Sequence, residues 1–231
     1  MIHNNPVSFI SSGNLLKIEN NHLNIHYCYI PKSYNLECTQ LSYLSLTEQE
    51  ILDSIKDESR KVKTIFSRAL LFHVLNKNGL EDLHDLKVTR NGKPYLTNSR
   101  NIHLNISYSG NLIICAISFN TPIGVDVEKI KPKNLDHFKL YFTEQEWHNI
   151  SINENSLKRF YELWTRKEAL VKADGRGLSI DLSSFSCLGN NEQIERENWY
   201  IKNFLVDEGY SCAIASKAND PIRLIKFEFS A

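Results

Sequence analysis

Asp126 and Glu128, two apart in the run TPIGVDVEKI, are the first residues in this 231-residue chain whose types and spacing could do chemistry. Val125, Val127 and Ile130, bounded by Pro122 and Gly124, predict a short strand over 123–129. Alternate side chains on a strand share a face, so both carboxylates point one way and the valines the other. Like charges so placed repel unless a cation lies between them. A third carboxylate comes from SLKRFYELWTRKEALVKADG, where Trp164, Glu168 and Lys172 fall at i, i+4 and i+8 on one helix face. An exposed Glu-to-Lys pair at this spacing is ordinarily just a helix contact worth ~0.3–0.5 kcal/mol. The helix ends in ADGRGL, however, whose glycines permit a sharp return that would carry Glu168 back to the strand acids. Three carboxylates with positions left for water and phosphate suit magnesium. A solvated acidic strand face is the plainer alternative, and the scattered histidines give no zinc pattern.

Basic residues bear on what such a metal would help to bind. Arg60, Lys61, Lys63 and Arg68 lie on or before a predicted helix, and Lys93 sits in NGKPYL, where Pro94 stiffens the turn that presents it. Singly, each reads as a surface charge. Together with a divalent cation they would suit a ligand carrying several phosphates.

The elements that must position these groups repeat. TEQE occurs at 47–50 and 143–146, each time as a capping-box pattern before an apolar-periodic stretch. CAI occurs at 115–117 and 212–214 in strand-like runs, and SRALL (67–71) and TRKEALV (165–171) lie between these markers in helical patterns. Three ordered matches at nearly one offset predict a duplicated α+β unit, with halves 1–120 and 121–231, the acids on the first strand of the second half, and the site between the halves. The expected elements are a strand at 24–30, helices at 47–56 and 60–76, a polar turn at TRNGKPYL and a hairpin ending at 118. The second half is expected to follow with a strand at 123–129, helices at 143–150 and 156–173, and strands near 178–188, 198–206 and 210–216.

Composition narrows the class. Lys plus Arg and Asp plus Glu balance at 27 each, which argues against a nucleic-acid-coating protein. The five cysteines, Cys28, Cys38, Cys115, Cys187 and Cys212, form no CxxC pair and read as reduced thiols of a cytoplasmic protein. Neither a signal peptide nor an apolar run of membrane-spanning length is expected. The duplication would let a monomer form the site.

GKPYL (92–96), NISYSG (105–110), IGVDVEKI (123–130) and FYELWTRKEALVKADGRGL (160–178) together resemble the 4′-phosphopantetheinyl transferases of the Sfp type. That resemblance implies a pseudo-dimer of two α+β halves with coenzyme A between them, and magnesium-dependent transfer of the 4′-phosphopantetheine arm to a serine of an apo acyl or peptidyl carrier protein, releasing 3′,5′-ADP. It implies Asp126, Glu128 and Glu168 as magnesium ligands, with Glu168 also the favoured general base. Lys172 would contact the diphosphate, Lys93 and Ser107 the nucleotide phosphates, and Arg68 the 3′-phosphate region. Tyr108 stands where the family usually has histidine, exchanging a possible cation for one neutral hydroxyl donor. The segment KIKPKNLDHFKLYFTEQEW (129–147) would meet the carrier, with Lys131, Lys133 and Leu140 at the interface and Phe138 and Phe142 in the core. Trp147, Trp164 and Trp199 are expected in the core. A non-catalytic coenzyme A or carrier binder and another metal-dependent phosphate hydrolase are the competing readings.

Overall fold

The computed structural model describes residues 8–10, 18–32, 46–79, 86–89, 93–97, 101–194 and 197–230. Cys38 and part of the TRNGKPYL turn lie outside them. The fold is α+β. Strand β1 (Ser8–Ile10) is followed by β2 (Leu23–Tyr29), helices α1 (Leu46–Ser54) and α2 (Glu58–Lys77), and strands β3 (Leu86–Val88), β4 (Pro94–Leu96), β5 (Ile102–Ser109) and β6 (Leu112–Phe119). Then come β7 (Ile123–Lys129), a 3-10 segment (Leu135–Tyr141), α3 (Glu144–Ser151), α4 (Ser156–Asp174), β8 (Asn191–Ile194), β9 (Glu197–Phe204) and β10 (Tyr210–Ser216). The chain closes with β11 (Ile222–Lys226) and β12 (Glu228–Ser230).

One sheet runs β11-β2-β6-β5 and the other β7-β10-β9-β8. In each, the first strand of the unit pairs antiparallel with the last, and the last with the one before it: β2 with β6 and β6 with β5, then β7 with β10 and β10 with β9. The two four-stranded sheets thus share a pairing order. The first sheet also takes β11, parallel to β2, from the far end of the chain, while β12 pairs with β1.

Alternation along the strands gives each sheet two apolar faces. Leu23, Ile25, Leu112, Ile114 and Ala116 of the first sheet meet Ile123, Val125, Val127, Cys212 and Ile214 of the second. The outer face of the first sheet, with Leu104, Ile113, Cys115 and Ile117, packs on Val62, Phe66, Leu70 and Val74 of α2. That of the second, with Trp199, Ile201, Ala213 and Ala215, packs on Ala169, Leu170 and Ala173 of α4. Helix, sheet, sheet and helix therefore form four layers, and each fully buried Leu, Ile or Val contributes ~1.5–3 kcal/mol.

Local chemistry sets the helix ends. Thr143 accepts from the Glu146 amide while Glu146 accepts from the Thr143 amide, completing the predicted capping box of α3. At the first TEQE the helix already runs from Leu46, so Thr47 lies inside it and not before it. Asp57 caps α2 and Asn155 caps α4, while Gly175, at φ 88°, ends α4 in the left-handed conformation. The strand expected near 178–188 is instead two 3-10 turns, Gly177–Ser179 and Leu182–Ser184. The carbonyls of Leu182 and Phe185 turn inward to accept from the Lys167 ammonium, an orientation that a strand ladder would not leave them. Cys28, Cys115, Cys187 and Cys212 are unbridged and buried. Burial pushes the thiols of Cys115, Cys187 and Cys212 up to about 12, which keeps them inert. No helix among the described residues is long and apolar enough to cross a membrane.

Candidate active site

The site forms where the edge strands β5 and β7 meet beneath α4. On β7, Val125 and Val127 enter the core between the sheets, and Gly124, Asp126 and Glu128 face the helix. A Cβ on Gly124 would come within 2.1 Å of the Ala169 carbonyl and 2.3 Å of the Ala173 amide. The glycine of GVDVE is therefore what lets the strand lie directly against α4. That contact sets the two acids opposite Glu168 and Lys172, which lie one turn apart on the helix.

Lys172 does not pair with Glu168 along its own helix. Its ammonium reaches across to Asp126 Oδ1 at 2.7 Å and donates to Ser107 Oγ at 3.0 Å. Ser107 Oγ donates to the same Asp126 oxygen at 2.9 Å and accepts from the Val127 amide at 3.3 Å. Ser109 repeats the arrangement one step on, donating to Glu128 Oε2 at 2.9 Å and accepting from the Lys129 amide at 3.0 Å.

A cleft of about 430 Å³ opens here, lined by Ile106, Ser107, Tyr108, Asp126, Val127, Glu128, Trp164, Glu168 and Lys172. Burial, then the charge of Asp126, raises the carboxyls of Glu128 and Glu168 above the usual range. Asp126 Oδ2 is buried without a hydrogen-bond partner. An orphaned carboxylate oxygen, with two further carboxylates lifted by its charge, fits a cation among them. Among the described residues, no three His, Cys, Asp or Glu side chains are already gathered as a metal cluster. The set fits a hard cation by donor type, and the two glutamates beside Asp126 are half-buried.

Asp126, Glu128, Glu168, Lys172, Ser107 and Tyr108 are thus brought together. Lys93 and Arg68 do not line the cleft. The Lys93 ammonium donates to the carbonyls of Lys172 at 2.7 Å, Ala173 at 3.2 Å and Ile123 at 3.3 Å, so it caps the C-terminal end of α4. Burial lowers its pKa to about 8. Arg68 is half-buried on α2, close enough to Cys115 for its charge to oppose the rise of that thiol. Lys61 pairs with Asp53 at 3.4 Å; Arg60, Lys61 and Lys63 are likewise absent from the cleft wall.

Sequence reasoning missed Ser109, the packing role of Gly124 and the ion pair beside the site. Lys167, adjacent to Glu168, is fully buried and pairs with Glu146 at 2.8 Å. The capping-box pattern did identify Glu146, but nothing local revealed its distant partner. Trp164 is half-buried, stacked on Phe160 with ring centroids 6.0 Å apart, and also forms part of the cleft wall.

Residues 122–215 match the family model described as the 4′-phosphopantetheinyl transferase superfamily. The 4′-phosphopantetheinyl transferase Sfp of Bacillus subtilis (strain 168) is 30% identical over 202 residues, covering 81% of this chain and 90% of that protein. The 4′-phosphopantetheinyl transferase ffp of Bacillus subtilis is 28% identical, covering 89% of this chain and 99% of its own. The 4′-phosphopantetheinyl transferase gsp of Aneurinibacillus migulanus is 32% identical, covering 71% and 70%. With a relative so alike across nearly its whole length, the chain belongs to the Sfp-type 4′-phosphopantetheinyl transferases.

Proposed function

We propose that this transferase moves the 4′-phosphopantetheine arm of coenzyme A onto a serine of an apo acyl or peptidyl carrier protein, releasing 3′,5′-ADP. The observation that carries the reading is the convergence of Asp126, Glu128, Glu168 and Lys172 on one cleft, with Asp126 Oδ2 buried and unpartnered. In the reaction the serine oxygen bonds to the phosphorus that carries the arm, the bond from that phosphorus to the nucleotide phosphate breaks, and the serine proton leaves. Magnesium, held by Asp126, Glu128 and Glu168, would neutralise diphosphate charge when bound. Lys172 would answer the charge that develops on the leaving phosphate, and Glu168 is the wall carboxylate proposed to receive the proton. Tyr108, 37% exposed at the cleft, offers a neutral hydroxyl to the nucleotide. The same reading divides the working halves near Thr121 and makes a monomer sufficient.

The carrier is proposed to dock on the 3-10 segment after β7. Leu140 is 86% exposed there, Phe142 is buried, and Phe138 packs on Phe160 and Trp164. Lys133 holds its ammonium 4.4 Å from the Phe138 ring, so its charge is presented from a fixed aromatic base. Lys131, Lys133 and Leu140 together suit an acidic helix with an apolar anchor.

Chromatography of nucleotide products tests the reaction. The protein, coenzyme A and magnesium are incubated with and without an apo carrier, and 3′,5′-ADP is expected only when carrier and metal are both present. Nucleotide release at the same rate without carrier would instead identify a hydrolase.

A further inference from the structure

We propose that Ser109 is a positioning residue for Glu128 and, through it, for the metal site. The inference rests on the reading that Glu128 is a metal ligand, and it starts from the seam between the sheets.

β7 is an edge strand of the second sheet and β5 an edge strand of the first. Edge strands leave a row of backbone groups without ladder partners. Here the amides of Val125, Val127 and Lys129 are taken up by side chains of β5: Asn105 Oδ1 at 2.8 Å, Ser107 Oγ at 3.3 Å and Ser109 Oγ at 3.0 Å. The sequence separation is 20 at every rung, so the strands run in the same direction and are tied by a ladder of alternate side chains.

Two rungs do more than accept. A hydroxyl can donate while accepting, and each serine donates to the carboxylate of the residue before the amide it holds: Ser107 to Asp126 and Ser109 to Glu128. Asn105 has no such duty, because the residue before Val125 is Gly124. The two serines differ in how much depends on them. Asp126 is also held by the Lys172 ammonium, whereas Ser109 is the hydrogen-bond donor found for Glu128 among the described residues. Glu128 is half-buried, with several rotatable bonds, so an anchored oxygen spares it rotamer freedom that would otherwise be lost on binding a cation. Alanine at 109 would leave the strand in place and release the carboxylate.

Titration of the full-length protein with Mn²⁺, following free Mn²⁺ by electron paramagnetic resonance, reads this directly. Ser109→Ala is expected to weaken Mn²⁺ binding about tenfold, the lower range for an outer-shell partner, and Ser109→Thr to restore it. The magnesium concentration giving half-maximal transfer should move by a similar factor. In a Glu128→Ala background, Ser109→Ala should add less than about twofold, because its effect passes through Glu128. Wild-type Mn²⁺ affinity in Ser109→Ala overturns the proposal, as does a loss of the same size in the Glu128→Ala background. Wild-type protein that binds no Mn²⁺ defeats the metal reading itself, and this proposal with it. A metal-binding, transferring wild type with an unchanged Ser109→Ala defeats only the positioning role.

Discussion

Helix α4 carries two lysine–carboxylate pairs of nearly the same length and opposite character. Lys167 and Glu146 are both fully buried at 2.8 Å, and every group around them is answered. Lys167 also donates to the Leu182 and Phe185 carbonyls, while Glu146 accepts from the amides of Cys187 and Thr143. Lys172 and Asp126 pair at 2.7 Å, but Lys172 keeps 30% of its side-chain exposure and Asp126 Oδ2 has no partner. The first pair is closed and can only hold the fold, tying α3, α4 and the 182–185 turns together. The second is open to a cleft, with capacity left for a ligand. Pair distance does not tell the two apart; exposure and the bonding capacity left at Asp126 Oδ2 do.

The largest loss of stability is expected at Lys167. Lys167→Met should cost ~3–5 kcal/mol by stranding Glu146 without its partner, read as a lowered urea midpoint. A variant as stable as wild type would break the distinction from the closed side. From the open side, Glu168→Gln should slow transfer ~100–1000-fold, about 3–4 kcal/mol of barrier, while its urea midpoint stays near that of wild type. A grossly unfolded Glu168→Gln protein would return that residue to the structural class. Trp164 stands between the two, since it both packs on Phe160 and forms part of the cleft wall. Trp164→Ala should lose ~2–4 kcal/mol of stability along with activity, so both readouts move together.

A pH-dependent effect comes from a buried group with no closing partner at all. His26 on β2 is fully buried, and neither ring nitrogen has a hydrogen-bond partner. Burial first, then the charges of Arg223 and His73, lower its pKa to about 3. The unfolded chain therefore binds the proton between about pH 6.5 and 3 and the folded chain does not. Stability from this site is lost as pH falls through that window, by about 1.4 kcal/mol per unit. His26→Leu should flatten the acid limb of stability against pH, and an unchanged limb would exclude His26 as its source.

Sequence periodicity made β7, α3 and α4 legible because each depends on local signals: the apolar alternation of β7, the capping box at Thr143 and the 3.6-residue face of α4. The acids were legible for the same reason, since parity on a strand and spacing on a helix fix which residues share a face. What escaped was long-range. The amine of Lys93 reads as a free cation in NGKPYL, yet it sits on α4 carbonyls some eighty residues away in sequence. The 178–188 segment alternates like a strand, but its carbonyls answer a lysine buried elsewhere. Strands β11 and β1 gave no local sign of the partners they pair with, because edge pairing is settled by the whole sheet.

Whether transfer occurs at the Lys172–Asp126 cleft is read by intact-mass spectrometry of an apo carrier protein. Carrier, coenzyme A and magnesium are incubated with wild type, with Asp126→Asn and with wild type lacking magnesium. A carrier heavier by one phosphopantetheine arm is expected with wild type alone, and an unmodified carrier in both controls. A carrier modified equally by Asp126→Asn would place the chemistry elsewhere in the molecule.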